Sequence, residues 1–231
     1  LSTMKVLFLD TETTGLINKK IGLNYATLDQ QPYIVQLSYV IINTENYEMT
    51  KIVDNVVKLR DDISISEEVT KIHGITNEIS KTTGHEISNL ITDVFQDITS
   101  CDMVVCHNTD YDIQMLKIEV MRLILNFEVS PEFQKILSPG INNIIGSNKL
   151  YCTMKNTVDL CKIERHNKRG SYFKYPTLLE LHKELFGSSP KKLHNSLNDV
   201  LITIRCYFKL QKQVDICDVN SIVNDKIVEL F

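Results

Sequence analysis

The sequence lacks the features that mark membrane and secreted proteins. No apolar run approaches the roughly 20 residues that a membrane-spanning helix needs. The amino-terminal segment has no basic stretch followed by an apolar stretch and a small-residue cleavage site, which is the pattern of a signal peptide. We therefore expect the protein to remain in the compartment where it is made, cytoplasmic or nuclear and not secreted, with no membrane partner.

Cysteine pairs and an excess of positive charge are missing as well. None of the 6 cysteines forms a C-x-x-C pair, so no structural zinc site is predicted and free thiols are expected. The formal net charge of the 231 residues is −4, whereas a sequence-independent nucleic-acid coat protein would usually be basic. An enzyme is not excluded, because carboxylates that hold divalent cations add negative charge while the metals reverse the local field.

Short apolar segments and helical periodicities alternate along the chain. Segments that are apolar or rich in β-forming residues predict strands at 6–9, 32–43, 50–59 and 103–105. Apolar residues at helical spacing, with start and stop signals, predict helices at 64–73, 89–98, 111–125, 176–186 and 197–208. This order predicts an α/β fold with a mixed central sheet flanked by helices. We place one domain at 4–210, with an insertion around 126–149 and a short extension at 211–231.

Two acids stand where the first predicted strand ends. Asp10 and Glu12 follow the apolar run Val6–Leu9, and a turn at Thr13–Gly15 comes next. Side chains alternate along a strand, so both acids point to the same face. Adjacent carboxylates repel unless a cation lies between them, and hard oxygen ligands suit Mg²⁺ or Mn²⁺. Taken alone, the pair is more simply interpreted as two solvated acids at a strand end.

Two further segments place an aspartate and a histidine near a helix start. They are His107–Asp112, after the fourth strand, and His194–Asp199, at the last long helix. Each aspartate alone is explained by helix capping or by the helix dipole. The five-residue offset between His194 and Asp199 nevertheless allows a loop histidine and a helical aspartate to converge on one site.

Together and in this order, the three segments resemble the DnaQ-like (DEDDh) branch of the DEDD exonuclease superfamily. The family motifs D-x-E-T-T-G, H-N-x-x-(F/Y)-D and H-x-x-x-x-D are matched within Leu9–Leu16, His107–Asp112 and His194–Asp199. A sister branch carries tyrosine where this chain has Asn195, so the match is to the histidine branch. The resemblance covers roughly residues 4–210. Within this branch, the chain is similar to the DNA polymerase III epsilon proofreading subunit.

The resemblance implies an RNase H-like fold and a two-metal 3′→5′ exonuclease that releases 5′-nucleoside monophosphates. Asp10, Glu12, Asp112 and Asp199 would hold two ions of Mg²⁺ or Mn²⁺. His194 would be the general base, a role that suits histidine because its ordinary pKa lies near neutral pH.

The resemblance also implies contacts with the substrate. Thr13, Leu16, His73 and Asn108 would bind the terminal nucleotides, with Leu16 wedged against the bases and His73 holding the last nucleotide. Leu16 could equally cap the core, and His73 could be a histidine favoured by a helix carboxyl end. The segment 162–174 is basic and aromatic, which suits a single strand, but a charged surface loop is the simpler interpretation.

Several functions remain open from the sequence. Single-stranded DNA is favoured as the substrate, in proofreading or repair with a DNA polymerase as a candidate partner. An RNA-trimming 3′→5′ exoribonuclease is the main alternative, because an active site of this kind recognises mainly phosphate and terminal stacking. A non-catalytic polymerase-associated module would be expected to lack a metal ligand. A two-metal hydrolase of small phosphate esters would not need the H-G-I segment at His73–Ile75.

Overall fold

The computed structural model describes residues 4–231, and residues 1–3, before the predicted domain, lie outside the described residues. A five-stranded sheet with the strand order β3-β2-β1-β4-β5 forms its centre. The strands are β1 (Lys5–Thr13), β2 (Ile34–Asn43), β3 (Met49–Val56), β4 (Met103–Cys106) and β5 (Leu150–Cys152). The first three pair antiparallel, whereas β4 runs parallel to β1 and to β5. The sheet is therefore mixed, as the sequence predicts.

Helices cover both faces of this sheet. They are α1 (Glu67–His73), α2 (Asn77–Thr83), α3 (Ile87–Ser100), α4 (Thr109–Leu125), α5 (Pro131–Leu137), α6 (Ile141–Ile144), α7 (Val158–Cys161), α8 (Leu178–Phe186), α9 (Ser196–Lys212), α10 (Ile216–Val219) and α11 (Ser221–Val228). Each helix predicted from periodicity is present, with shifted ends. No helix in the described part of the chain is long and apolar enough to cross a bilayer.

The apolar run in β1 is buried on both faces because a helical layer packs on each. Leu7 and Leu9 belong to the core beneath α3 and α4, whereas Val6 and Phe8 belong to the core beneath α8 and α9. The Phe8 ring meets Tyr207 of α9 edge-on, at a centroid distance of 5.1 Å. This two-sided burial confirms the predicted α/β fold with helices on both sides of the sheet.

Two regions contain more structure than the sequence analysis predicts. The segment 126–149 includes α5 and α6, and Phe133 of α5 packs edge-on against Phe95 of α3 at 5.7 Å. After residue 210, α10 and α11 bury Ile216, Val223 and Ile227 in the core beside α9. The domain boundary at residue 210 stays a prediction.

The segment 162–174 forms a β-hairpin instead of the charged loop that is the simpler interpretation of the sequence. Its strands are β6 (Glu164–Asn167) and β7 (Gly170–Phe173), and they pair only with each other within the described chain. Every strand residue is exposed. Because both faces of this hairpin are exposed, neither face is apolar, and the sequence therefore lacks the alternation of apolar and polar residues that predicts a strand.

A buried ion pair fixes the loop between β1 and β2. Arg122 of α4 lies 2.9 Å from Glu119 and donates hydrogen bonds to the carbonyls of Leu28, Gln31 and Pro32. Its guanidinium also stacks on the Tyr33 ring, 3.5 Å from the centroid. Because both charges are buried, separation of the two residues from each other or from the carbonyl partners would leave an unpaired charge in the interior. The clamp holds the chain that follows the first acidic motif against α4.

Candidate active site

Three carboxylates from two distant parts of the sequence meet at one end of the sheet. Asp10 and Glu12 lie on the carboxyl-terminal half of β1, and Asp199 lies in the first turn of α9. One oxygen from each of the three lies within 4.8 Å of the others. This separation allows a single cation to contact all three groups, and oxygen-only ligands favour a hard divalent ion.

A fourth acid, Asp112, lies beside this group in the first turn of α4. It is only 2% exposed. Its Oδ1 accepts hydrogen bonds from the Thr11 backbone N–H at 3.0 Å and from the Thr11 hydroxyl at 2.9 Å. Thr11 lies between Asp10 and Glu12 on β1, so these two bonds tie the second motif directly to the first.

Burial raises the pKa of every carboxyl in this cluster, and repulsion from neighbouring carboxylates adds to the shifts of Asp10, Glu12 and Asp112. Burial, followed by the charges of Asp112, Asp199 and Glu12, raises the pKa of Asp10 well above its usual range. Burial and the two aspartates raise the pKa of Glu12 to about 8. Burial likewise raises the pKa values of Asp112 and Asp199 to about 7. Four such groups are unfavourable as anions unless a cation neutralises them, so the donor set fits divalent metal.

Buried polar contacts hold the start of α9, and with it Asp199, against β2. Gln36 is the register partner of Glu12 on the neighbouring strand. Its Oε1 accepts a hydrogen bond from the Ser196 backbone N–H at 3.1 Å, and its Nε2 donates to Asp54 at 2.7 Å. The hydroxyls of Ser38 and Ser196 meet at 2.5 Å. This network is not predicted from the sequence, although Gln36 and Ser38 are two polar residues on one face of an otherwise apolar strand.

His194 lies on a bend immediately before α9. Its backbone N–H donates to Asp199 Oδ1 at 3.2 Å, and its backbone adopts a positive φ of 64°. The residue is exposed, and it lines a groove that Asp199, Asn108 and Pro176 also border. The histidine and the aspartate of the third motif thus border one groove, which their five-residue offset allows.

The histidine of the second motif has a different environment. His107 Nε2 lies 3.0 Å from the Pro176 carbonyl, which can only accept, so Nε2 carries the proton. Its Nδ1 is then free to accept from the Thr153 hydroxyl at 2.9 Å. Burial lowers the pKa of His107 to about 4, which keeps the ring neutral. The residue joins the ends of β4 and β5 to the segment before α8.

Two of the predicted substrate contacts lie where β1 ends, Thr13 as its last residue and Leu16 in the loop that follows. Leu16 is 87% exposed, so its side chain is available to a ligand. Thr13 is buried, and its hydroxyl lies 2.7 Å from the Gly15 carbonyl and 2.5 Å from the Tyr111 hydroxyl. Tyr111 also reaches the Gly15 carbonyl, at 2.8 Å. These bonds fix the turn that presents Leu16, a role of Tyr111 that the sequence analysis does not identify.

The other two predicted contacts, Asn108 and His73, lie at helix ends. Asn108 precedes α4 in the left-handed conformation and lines the groove, and its side chain makes no capping bond. His73 ends α1 and is 6% exposed. Its Nδ1 accepts from the Ile75 N–H at 3.0 Å, whereas its buried Nε2 has no hydrogen-bond partner among the described residues. Burial lowers the pKa of this histidine.

One family of known proteins matches most of the chain. Residues 7–207 match the RNase_T family model, which is described as an exonuclease. No curated protein sequence matches the chain significantly.

Several solved structures share the fold. Exonuclease I of E. coli in complex with a dT13 oligonucleotide has a TM-score of 0.59 at 15% identity, over 91% of this chain and 42% of that one. The zinc-bound form of the E. coli exonuclease I complex with single-stranded DNA has a TM-score of 0.58 at 14% identity, over 92% and 42%. An exonuclease I complex with SSB-Ct gives the same values. The chain thus spans less than half the length of these proteins, and at this identity the likeness is one of fold.

Proposed function

The chain belongs to the RNase_T exonuclease family, and from that premise we propose that it removes nucleotides from the 3′ end of single-stranded nucleic acid. The observation that supports this most directly is the convergence of Asp10, Glu12 and Asp199 within 4.8 Å. Phosphodiester hydrolysis requires the stabilisation of negative charge on the attacking and leaving oxygens, and a carboxylate cluster supplies it by holding cations. The product would be a 5′-nucleoside monophosphate.

Two ions of Mg²⁺ or Mn²⁺ form the cofactor in this proposal. Asp10, Glu12 and Asp199 would hold one ion, and Asp112 together with Asp10 would hold the other. Carboxylates alone suit these hard ions, whereas nitrogen and sulfur ligands dominate zinc sites. When bound, the ions activate a water molecule and stabilise the charge that develops on the phosphate and on the leaving oxygen.

His194 acts as the general base in this mechanism. It borders the same groove as Asp199 and is exposed, so its ring can approach water held near the acids. The ring takes a proton from the attacking water and the new P–O bond forms. The bond from phosphorus to the 3′ oxygen of the preceding nucleotide breaks, and that oxygen takes up a proton to become the 3′ hydroxyl of the shortened strand. The hydrogen bond from its backbone N–H to Asp199 keeps this base next to a metal ligand.

The 3′-terminal base would be received at Leu16. This side chain is apolar, 87% exposed and held on a turn that Thr13 and Tyr111 fix, so it can stack against a base without rearrangement. DNA is the favoured substrate. A role in proofreading or repair beside a DNA polymerase is part of the proposal, and it predicts faster hydrolysis of a mismatched than of a paired 3′ end.

The test is a gel assay with 5′-labelled single-stranded DNA and RNA of one sequence. Wild type, Asp10→Ala and the control Asp225→Asn, an exposed acid on α11, would be incubated with Mg²⁺, Mn²⁺ or EDTA. A ladder that shortens from the 3′ end with metal, and is absent only in Asp10→Ala, is the expected result. The ratio of the hydrolysis rates for DNA and RNA identifies the preferred nucleic acid. Absence of degradation of both strands by wild type under every metal would refute the proposal.

A further inference from the structure

The β6–β7 hairpin concentrates positive charge in a chain that is acidic. Its segment 162–174 contains five lysines and arginines and one acid, a net charge of +4, whereas the whole chain carries −4. The remaining residues therefore carry −8. Within the described chain, no carboxylate lies within ion-pair distance of Arg165, Lys168 or Arg169. These cations are available to an anionic partner.

The register of the hairpin puts aromatic rings beside this charge. Arg165 is the cross-strand partner of Tyr172, so their side chains share one face. Phe173 lies on the other face, opposite Glu164. The two rings are 49% and 46% exposed, although each could be buried in a protein core. A cation and an exposed ring on one face suit a strand that offers phosphates and bases together.

The base of the hairpin is joined to the active-site groove. The Lys174 N–H donates to the Ile163 carbonyl at 2.9 Å, and its ammonium pairs with Glu180 of α8 at 2.6 Å. The next two residues, Tyr175 and Pro176, line the groove that contains His194 and Asp199. Arg169 at the tip is seven positions before Pro176, so the tip lies within roughly 25 Å of the groove.

We propose that this hairpin is an arm that binds the single strand upstream of the nucleotide being removed. The inference rests on the proposed exonuclease function and adds a second contact region to it. The arm would hold nucleotides several positions from the 3′ end, with Tyr172 stacking on a base and Arg165 contacting a phosphate. Short substrates that end within the groove would not reach it.

The test compares the double variant Arg165→Ala/Tyr172→Ala with the control Lys212→Ala/Phe127→Ala. The control also loses one exposed cation and one exposed ring, and Lys212 ends α9 about 20 Å from Asp199 along the helix axis. A second hairpin variant, Lys168→Glu/Arg169→Glu, alters only the exposed turn. The substrates are the dinucleotide of thymidine and dT20, with KM and kcat measured on both. Fluorescence anisotropy in EDTA measures the Kd for dT20 against salt concentration.

Both hairpin variants should raise the KM and Kd for dT20 by about tenfold and leave hydrolysis of the dinucleotide unchanged. The slope of log Kd against log salt should fall by about 0.7 for each lost phosphate contact. The control should match wild type. Unchanged binding and slope in both hairpin variants, or an equal loss on the dinucleotide, would overturn the inference. If wild type degrades neither substrate, the exonuclease proposal fails, whereas the anisotropy arm still decides whether the hairpin binds the strand.

Discussion

Replacing Asp199 with asparagine should stabilise the metal-free protein. Burial raises the pKa of this carboxyl from 3.8 to about 7, so the folded protein retains a proton that the unfolded chain releases near pH 4. The stability associated with that proton is complete below pH 4 and is lost as the pH rises through 7. Asparagine keeps an oxygen for the His194 N–H, 3.2 Å away in the wild type, without the charge.

The size of the effect follows from the width of this window. A shift of about 3 pKa units corresponds to ~4 kcal/mol when the folded carboxyl is fully ionised. Asp10, Glu12 and Asp112 share the repulsion and relax when one charge is removed, so about half of that value, ~2 kcal/mol, is the expected gain at pH 8. At pH 5 the expected gain is only ~1 kcal/mol, because the folded wild type still holds the proton.

Urea unfolding of both proteins in EDTA, followed by far-UV circular dichroism at pH 5 and pH 8, measures this difference. The exposed Asp225→Asn variant is the control and should match wild type at both pH values. Saturating Mg²⁺ should reverse the order, because wild type gains about 2.7 kcal/mol at a concentration of 100 Kd and the variant binds more weakly. A gain that is equal at the two pH values, or an asparagine variant less stable than wild type at pH 8, would refute the reasoning.

Three further substitutions test other parts of the site and its supports. His194→Ala should lower kcat by about a hundredfold to ten-thousandfold without changing the melting temperature. A kcat near that of wild type would show that His194 is not the general base. Gln36→Leu should lower the free energy of unfolding in urea by about 1–3 kcal/mol, because the buried Ser196 N–H loses its acceptor; an unchanged midpoint would contradict this. Arg122→Met should cost about 3–5 kcal/mol in the same assay by leaving Glu119 buried and unpaired, whereas loss of less than 1 kcal/mol would show that Glu119 finds another partner.

The central sheet and its covering helices are predictable because their buried positions are apolar, either in a continuous run or at helical spacing. Val6–Leu9 is apolar at every position, since helices pack on both faces of β1. Helix α3 repeats apolar residues at 90, 91, 94, 95 and 98, and all of them are buried. Elements that bury few apolar residues have no such pattern and are not predicted. α2 is short and mostly exposed, and only its cap at Thr76 marks it.

The family is predictable because its motifs require particular side chains in a fixed order. The match to the exonuclease family model confirms the predicted enzyme class and the DnaQ-like resemblance. Similarity to the epsilon subunit in particular stays a prediction, as do the roles of the individual site residues. The carboxylates Asp10, Glu12 and Asp199 do form one cluster, but the identity of the metal depends on an experiment.

The supports of the site are not predictable in the same way, because they join residues whose neighbours are known only after folding. Ser38 and Ser196 are 158 positions apart, and neither stands in a recognisable pattern with the other. Thr13 and Tyr111 are 98 positions apart, and the carbonyl that both approach belongs to Gly15. Such contacts depend on which face of α4 and α9 meets the sheet.

The hydrogen bonds of the aspartates explain how an unfavourable cluster keeps its shape. Asp112 accepts both bonds from Thr11 on Oδ1, and Asp199 accepts the His194 N–H on Oδ1. Among the described residues, the Oδ2 atoms of these two aspartates accept no hydrogen bond. Each carboxylate is therefore oriented through one oxygen while the other remains available to a cation. Because the protein itself supplies the orientation, a metal ion bound here would relieve the repulsion without having to assemble the site, and the positions of the carboxylates should be the same with and without metal.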